Sequence, residues 1–368
     1  MSEGGAAAFV SIGKRLERGW KKGWLRVLAR FSPSPARGGP PDWSRRRWRV
    51  LYVRHDRIGD MILATGLIRA IATSHRTIEL DVLASPTNAP ILEGNPYVGR
   101  VLVFHKKRRR SWRPLLREMR SARYDVVIDG MVLTPSLTTL LLMLATGAPY
   151  RIGVGGRTND FVYTLPVRPA PSDAHMVEHS AVTAVPFGVN PAATDWRPEL
   201  FVSDAERERA SSAWHRAGGA GATRLLVNIT SAQPRNRWPD ESFVAVLQRL
   251  RARAPGAAVA VIGSPGEADA VHRVAAEGKA EAVAGTTLRE AVALVATAHV
   301  ILTPDTSIAH MAAALGKPAV VMTLSRARQF VPYRAAGRVL IAEGDTVASL
   351  DPEGVALALD EVLAGLRA

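Results

Sequence analysis

The stretch HDRIGD at 55–60 puts a histidine, an arginine and two carboxylates in six residues, directly before the apolar run MILATGLIRAI. Asp60 therefore sits where a helix begins. Its carboxylate can take a proton from an attacking hydroxyl as a general base. The plain alternative is a helix cap, since Asp is a preferred residue there. A second cluster, TSAQPRNRWP at 230–239, offers the hydroxyls of Thr230 and Ser231 and the fork-shaped donors of Arg235 and Arg237. That set suits a diphosphate, or else it is a solvated basic loop beside a packed Trp238. In IGSPGEAD at 262–269, Glu267 begins a helix. It either complements the helix dipole or accepts from a ribose hydroxyl. In TPDTSIAH at 303–310, Thr306 and Ser307 stand at a helix N-terminus, where free N–H groups favour phosphate. His310 follows one turn later, as a further donor or as a histidine satisfied by its neighbours.

Each cluster needs an element to hold it, and the chain supplies strand–helix alternation twice. RVLYVRH (49–55), TIELDVLAS (77–85), RVLVF (100–104) and YDVVIDG (124–130) read as strands, with helices over 61–75 and 111–123. After a region of weaker signal at 170–222, strands are expected at 224–229, 257–264, 299–305 and 318–323. Helices are expected at 239–253, 266–278, 288–298, 306–316 and 352–366. Such alternation means parallel βαβ units. The four clusters all follow strands, and ligands of open α/β sheets bind beyond the carboxyl ends of strands. No G-x-G-x-x-G follows an expected strand and no P-loop exists, so a dinucleotide fingerprint and a P-loop NTPase are excluded. GVGG at 153–156 is a weak glycine cluster.

Charge narrows the partners. The 368 residues carry a formal net charge of +15. Residues 1–49 hold +9 of it, residues 105–123 hold +8, and the rest carries −2. Two local patches thus point to an anionic partner. Residues 7–31 read as a basic amphipathic helix, with Phe9, Ile12, Leu16, Trp20, Trp24, Val27 and Phe31 on one face. Such a helix lies in a bilayer interface or packs on its own domain. The Pro/Gly-rich residues 32–48 read as a linker. There is no Cys, no zinc-ligand spacing among nine His, and no secretory signal. Gly130–Tyr150 is uncharged but broken by Pro135 and Ser/Thr, and reads as a helix covering a sheet.

Taken together, RVLYVRHDRIGDMILATGLIRAI, the NPYV segment, RIG at 151–153, HMVEH at 175–179, NRWPDESF, VIGSPGEAD and DTSIAHMAAALGKPAVVM resemble glycosyltransferase family 9. This is the family of the lipopolysaccharide heptosyltransferases. The resemblance implies an α/β GT-B fold of two Rossmann-like domains facing a cleft, here an acceptor domain at 49–185 and a nucleotide-sugar domain at 186–350, with a C-terminal helix at 351–368 and a leader at 1–48. It implies an inverting, metal-independent transfer from a nucleotide-activated heptose, typically ADP-heptose, to a core or lipid-linked oligosaccharide, with no cofactor. It assigns Asp60 as the base. Asp305, Thr306 and His310 are expected at the nucleotide diphosphate, Glu267 at the ribose, and Thr230 and Ser231 near the phosphates. Gly59, Arg235, Arg237, Thr286, Ser307 and Ile308 complete the expected substrate contacts. Two positions depart from the family pattern: Asn236 replaces a Lys and Ser307 replaces a Gly. The expected location is cytoplasmic, on the inner face of the membrane. A nucleotide-sugar epimerase of the same fold, or a non-catalytic membrane-associated protein on this scaffold, are the alternatives. No aromatic platform or RNA motif supports nucleic acid.

Overall fold

A computed structural model of the chain describes residues 39–133, 136–156, 160–218, 222–324 and 329–366. The amphipathic segment at 7–31 lies outside them. The first domain is built on strands β1 (Trp48–Val53), β2 (Ile78–Ala84), β3 (Val101–Val103), β4 (Val126–Asp129), β5 (Tyr150–Val154) and β6 (Leu165–Val167). The second carries β7 (Arg224–Asn228), β8 (Ala258–Ile262), β9 (Glu281–Val283), β10 (Val300–Pro304), β11 (Ala319–Leu324) and β12 (Gly337–Ala342). The sheets are ordered β3-β2-β1-β4-β5-β6 and β9-β8-β7-β10-β11-β12, so one winding occurs twice. All strand pairs are parallel. The central strands are almost wholly buried, as near-continuous apolar runs such as AVAVI require when helices cover both faces. Winding of this kind reverses direction between β1 and β4, and again between β7 and β10. Those two switch points are where such sheets open a crevice for ligand.

Helices α1 (Ile58–Ser74), α2 (Trp112–Ser121), α3 (Leu137–Thr146) and α4 (Met176–Ala181) belong to the first domain. Helices α5 (Asp204–Ala217), α6 (Asp240–Arg253), α7 (Ala268–Glu277), α8 (Leu288–Thr297), α9 (Ser307–Ala314) and α10 (Pro352–Ala364) cover the second. α3 is the uncharged helix expected to cover a sheet. Leu140, Leu142 and Met143 pack with Val53 and Val127, Ser136 caps its start, and Gly147 (φ 71°) ends it. Among the described residues no helix is long and apolar enough to cross a membrane.

Three differences from the sequence expectation have physical causes. Residues 39–48, expected as linker, are part of the first domain. Trp43 is buried, stacks on Phe187 at 4.6 Å and donates from Nε1 to Pro186 O. The weak-signal region at 170–222 contains α4 and α5, each opened by a capping box, His175–Glu178 and Ser203–Glu206. The C-terminal helix α10 is no separate unit, because Val355 and Leu359 enter the core of the second domain with Phe243.

The domains meet along α1. Met61 and Ile62 share one apolar cluster with Met311 and Ala312 of α9. A Cβ added to Gly66 would stand 2.5 Å from the Trp196 carbonyl oxygen, so the connecting segment lies directly on α1. Arg289 of α8 fixes a second contact. It grips Glu206 with Nε and Nη2 at 2.7 and 2.8 Å, and also donates to Phe201 O and to Pro90 O of the first domain.

Candidate active site

Asp60 is the third residue of α1, whose N-cap position is Arg57 with no side-chain cap bond. The capping role is therefore not the one it fills. Its carboxylate instead pairs with Arg54, Nη2 to Oδ1 at 3.1 Å. Arg54 directly follows β1 and is fully buried. It also donates from Nε to Asp56 Oδ1 at 3.0 Å and from Nη1 to the carbonyl of Gly130. One guanidinium thus bridges the β1 and β4 loops at the switch point and holds two carboxylates. Burial pushes the Asp56 carboxyl up, against the pull of Arg54. Asn88, itself buried, donates to Arg54 O from the loop after β2. His55 meets Thr139 of α3 through Nε2 at 3.1 Å. Arg54 and Asp56 were not singled out as acting residues in the sequence. The Arg-x-Asp-x-x-x-Asp spacing of Arg54, Asp56 and Asp60 was the available signal.

His310 crosses from the other domain to this loop. A Cβ built on Gly59 would stand 2.9 Å from His310 Cδ2, so only glycine fits where α9 abuts α1. Gly59 is therefore a packing position at the domain contact. The His310 ring is buried, its Nδ1 has no hydrogen-bond partner, and burial pushes its pKa down to about 4, with Asp60 pulling the other way. A neutral imidazole offers one N–H rather than a cation. His175 of α4 is the neighbouring histidine. Its Nδ1 accepts from Val177 N, which leaves Nε2 to donate to Val331 O of the second domain at 2.8 Å.

The second switch point is organised alike. Asn228 at the end of β7 donates to Thr303 and Thr306 of the β10 side, at 2.9 and 3.2 Å. Thr306 caps α9 by accepting from Ile308 N. Ser307 opens the helix, and Ile308 is buried beneath it. Among the described residues the Asp305 carboxylate has one bond, from Thr323 Oγ1 at 3.2 Å, and burial pushes its pKa up to about 6. A carboxylate repels diphosphate, so the expected diphosphate contact does not suit Asp305. It is suited to accept from a hydroxyl.

Glu267 closes a polar network rather than a bare loop. Thr230 Oγ1, Ser264 Oγ and the Ser264 N–H all donate to Oε2, while Arg237 pairs with Oε1. Burial raises the Glu267 carboxyl, but the donors from Ser264, Thr230 and Arg237 hold it below its ordinary value. Arg237 also binds Asp240 at 2.9 Å. Its charge is therefore taken by two carboxylates, which leaves Arg235 as the exposed cation of that loop without an ion pair among the described residues. Ser231 donates to Gln233 O, Thr286 to Val283 O, and Asn236 lies in the 3-10 turn between the two arginines. Trp238 is core, with Nε1 on Leu350 O. Among the described residues no group of three His, Asp or Glu side chains could hold a metal ion.

The loops of the two matching switch points meet where His310 seats on Gly59, with the Asp60 carboxylate on one side and the N-terminus of α9 on the other. The model of glycosyltransferase family 9 (heptosyltransferase) matches residues 112–343. The chain belongs to glycosyltransferase family 9. This transferase is 26% identical over 310 residues to lipopolysaccharide heptosyltransferase 2 of Salmonella typhimurium, covering 77% of this chain and 85% of the relative. Its fold is that of the family 9 glycosyl transferase from Veillonella parvula, with a TM-score of 0.77 at 20% identity over 89% of this chain and 100% of the other. It is also that of the E. coli ADP-heptose lps heptosyltransferase II, with a TM-score of 0.72 at 24% identity over 87% and 100%. The fold is therefore GT-B and the activity is glycosyl transfer, which sets aside the epimerase and the non-catalytic scaffold.

Proposed function

We propose that this family 9 transferase moves a heptose from a nucleotide sugar, ADP-heptose by likeness to its relatives, onto a lipopolysaccharide-core acceptor with inversion. The carrying observation is the seating of His310 on Gly59, beside Asp60, which joins the two motifs in one cleft. Asp60 takes the proton of the acceptor hydroxyl while its oxygen attacks the anomeric carbon. The new C–O bond forms on the face opposite the diphosphate as the bond to that diphosphate breaks, and the nucleoside diphosphate leaves with the electron pair. Arg54 pairs with the Asp60 carboxylate at 3.1 Å and aims it. The leaving charge is met by Arg235 and the N–H groups of α9 at Ser307, without a metal ion. Glu267, held by Thr230 and Arg237, accepts from the ribose. Asp305 accepts from a hydroxyl of the transferred sugar. The enzyme works at the inner face of the cytoplasmic membrane, with the leader at 7–31 as one contact.

A thermal-shift panel of nucleoside diphosphates and their sugars tests the donor. Ligand that binds the native state raises the melting temperature. ADP and ADP-heptose are expected to do so and uridine and guanosine nucleotides are not. Stabilisation by a uridine nucleotide sugar alone would overturn the donor assignment.

A further inference from the structure

The cationic stretch at 105–123 has no role in the cleft chemistry above. It holds nine Lys/Arg and one acid, Glu118. Lys106, Lys107, Arg108, Arg109 and Arg110 are exposed on the loop after β3. Arg113, Arg117 and Arg120 are exposed along α2. Their spacing, three and four residues, stacks them in one stripe. None of these eight forms an ion pair among the described residues, and Glu118 faces Arg100. The opposite side of α2 is anchored by buried Leu115 and Met119.

The neighbouring helix repeats the spacing with apolar residues. α3 packs beside α2 on the same face of the first sheet. Leu141 is 45% exposed on its outer side, between Leu137 and Leu144, which are half-buried against the core. An unpaired arginine row next to a leucine row is a two-helix amphipathic face. Apolar side chains of such a face enter the headgroup–acyl boundary while cations meet lipid phosphate. A nucleic acid would find the cations but leave Leu141 in water.

We infer that the α2–α3 face docks this enzyme on an anionic bilayer. Both helices begin at the carboxyl edge of the sheet, where His55 binds Thr139 of α3 in the loop that carries Asp60. The docked face would therefore set the mouth of the cleft at the headgroups, where a lipid-linked acceptor lies. This deepens the acceptor reading above, but binding is measured without donor or acceptor, so its failure leaves the transfer reading standing.

The test is co-sedimentation of the full chain with vesicles of equal parts phosphatidylglycerol and phosphatidylcholine, and with phosphatidylcholine alone, at low ionic strength. The chain is expected on the anionic vesicles, with binding weakened by salt. Reversing the arginine row (R113E/R117E/R120E) is expected to lower the partition coefficient by about a hundredfold or more. Leu141→Glu should lower it as well, each variant melting as the parent does. Reversal of two exposed cations of α5 (R207E/R209E) should change nothing. Parental binding by the triple variant would overturn the inference and leave the leader as the contact. Equal loss from the α5 reversal would overturn it too, as an effect of net charge alone.

Discussion

Asp305 carries a half-buried carboxylate with one hydrogen bond and no ion pair among the described residues. Burial raises its pKa from 3.8 to about 6. The native state therefore holds that proton more tightly than the unfolded chain, and stability falls as pH rises from 3.8 through 6. Asp305→Asn should stabilise the protein by roughly 1–3 kcal/mol at neutral pH. The gain should vanish below pH 3.8 in denaturant unfolding. Such a cost is consistent with the hydroxyl contact proposed for Asp305. Gly59 is constrained in the other sense, by His310 at 2.9 Å from the position of a Cβ. Gly59→Ala should cost about 1–3 kcal/mol by overpacking, and much less in a His310→Ala background. Additive costs in that double-mutant cycle would show that the two do not meet. Residue types and loop positions showed Asp60, Glu267, Thr306 and His310 as polar groups beyond strand ends. They did not show that Arg54 holds Asp60, or that Arg237 reaches Glu267 as well as Asp240, because such pairings are set by how the loops fold over the switch points.

The long central elements were legible because their signals are local. The apolar runs of β1, β7, β8 and β10 and the start of α6 at Pro239–Asp240 read directly from the chain. The edge strands β6 and β9 are three residues each, too short to show a period. α5 has a charged exposed face and owes its place to Ala210, Ala213 and Trp214 against the second sheet. Its N-terminus also supplies Glu206 to Arg289. Both side chains are mostly buried, at 11% and 14% exposed. The two donors of Arg289, with help from Ser203, lower the Glu206 pKa from 4.5 to about 2. That contribution is complete above pH 4.5 and is lost as pH falls through 2. Arg289→Met leaves the carboxylate uncompensated and should cost about 3–5 kcal/mol at neutral pH. Thermal melts from pH 7 down should show the parent losing stability in acid and the variant losing less. A variant with the parental acid slope would mean the pair does not carry it.

At the scale of the molecule, two sheets wound alike bring two switch points to one cleft, and α1 with α9 forms the seam. The family resemblance reached this architecture from motif order, whereas the seam itself rests on contacts such as Gly59–His310 and Gly66–Trp196 that no local pattern encodes. The true start of the first domain was hidden for the same reason. A Pro/Gly-rich segment reads as linker, yet Trp43 completes an aromatic cluster with Trp48, Tyr150 and Phe187. A chain lacking residues 1–38 keeps Trp43 and serves as the reference. Removing residues 1–48 should cost at least the about 3–5 kcal/mol of a buried Trp. Equal melting of the two truncations would place Trp43 outside the core.

In the proposed mechanism Asp60 is the base of the transfer. Its most direct test is acceptor-dependent release of ADP from ADP-heptose by the full chain and by Asp60→Asn. Asp60→Asn is expected to lose about 10²–10⁴-fold in turnover, with the thermal shift caused by ADP-heptose retained. Turnover near the parental rate in Asp60→Asn would contradict it.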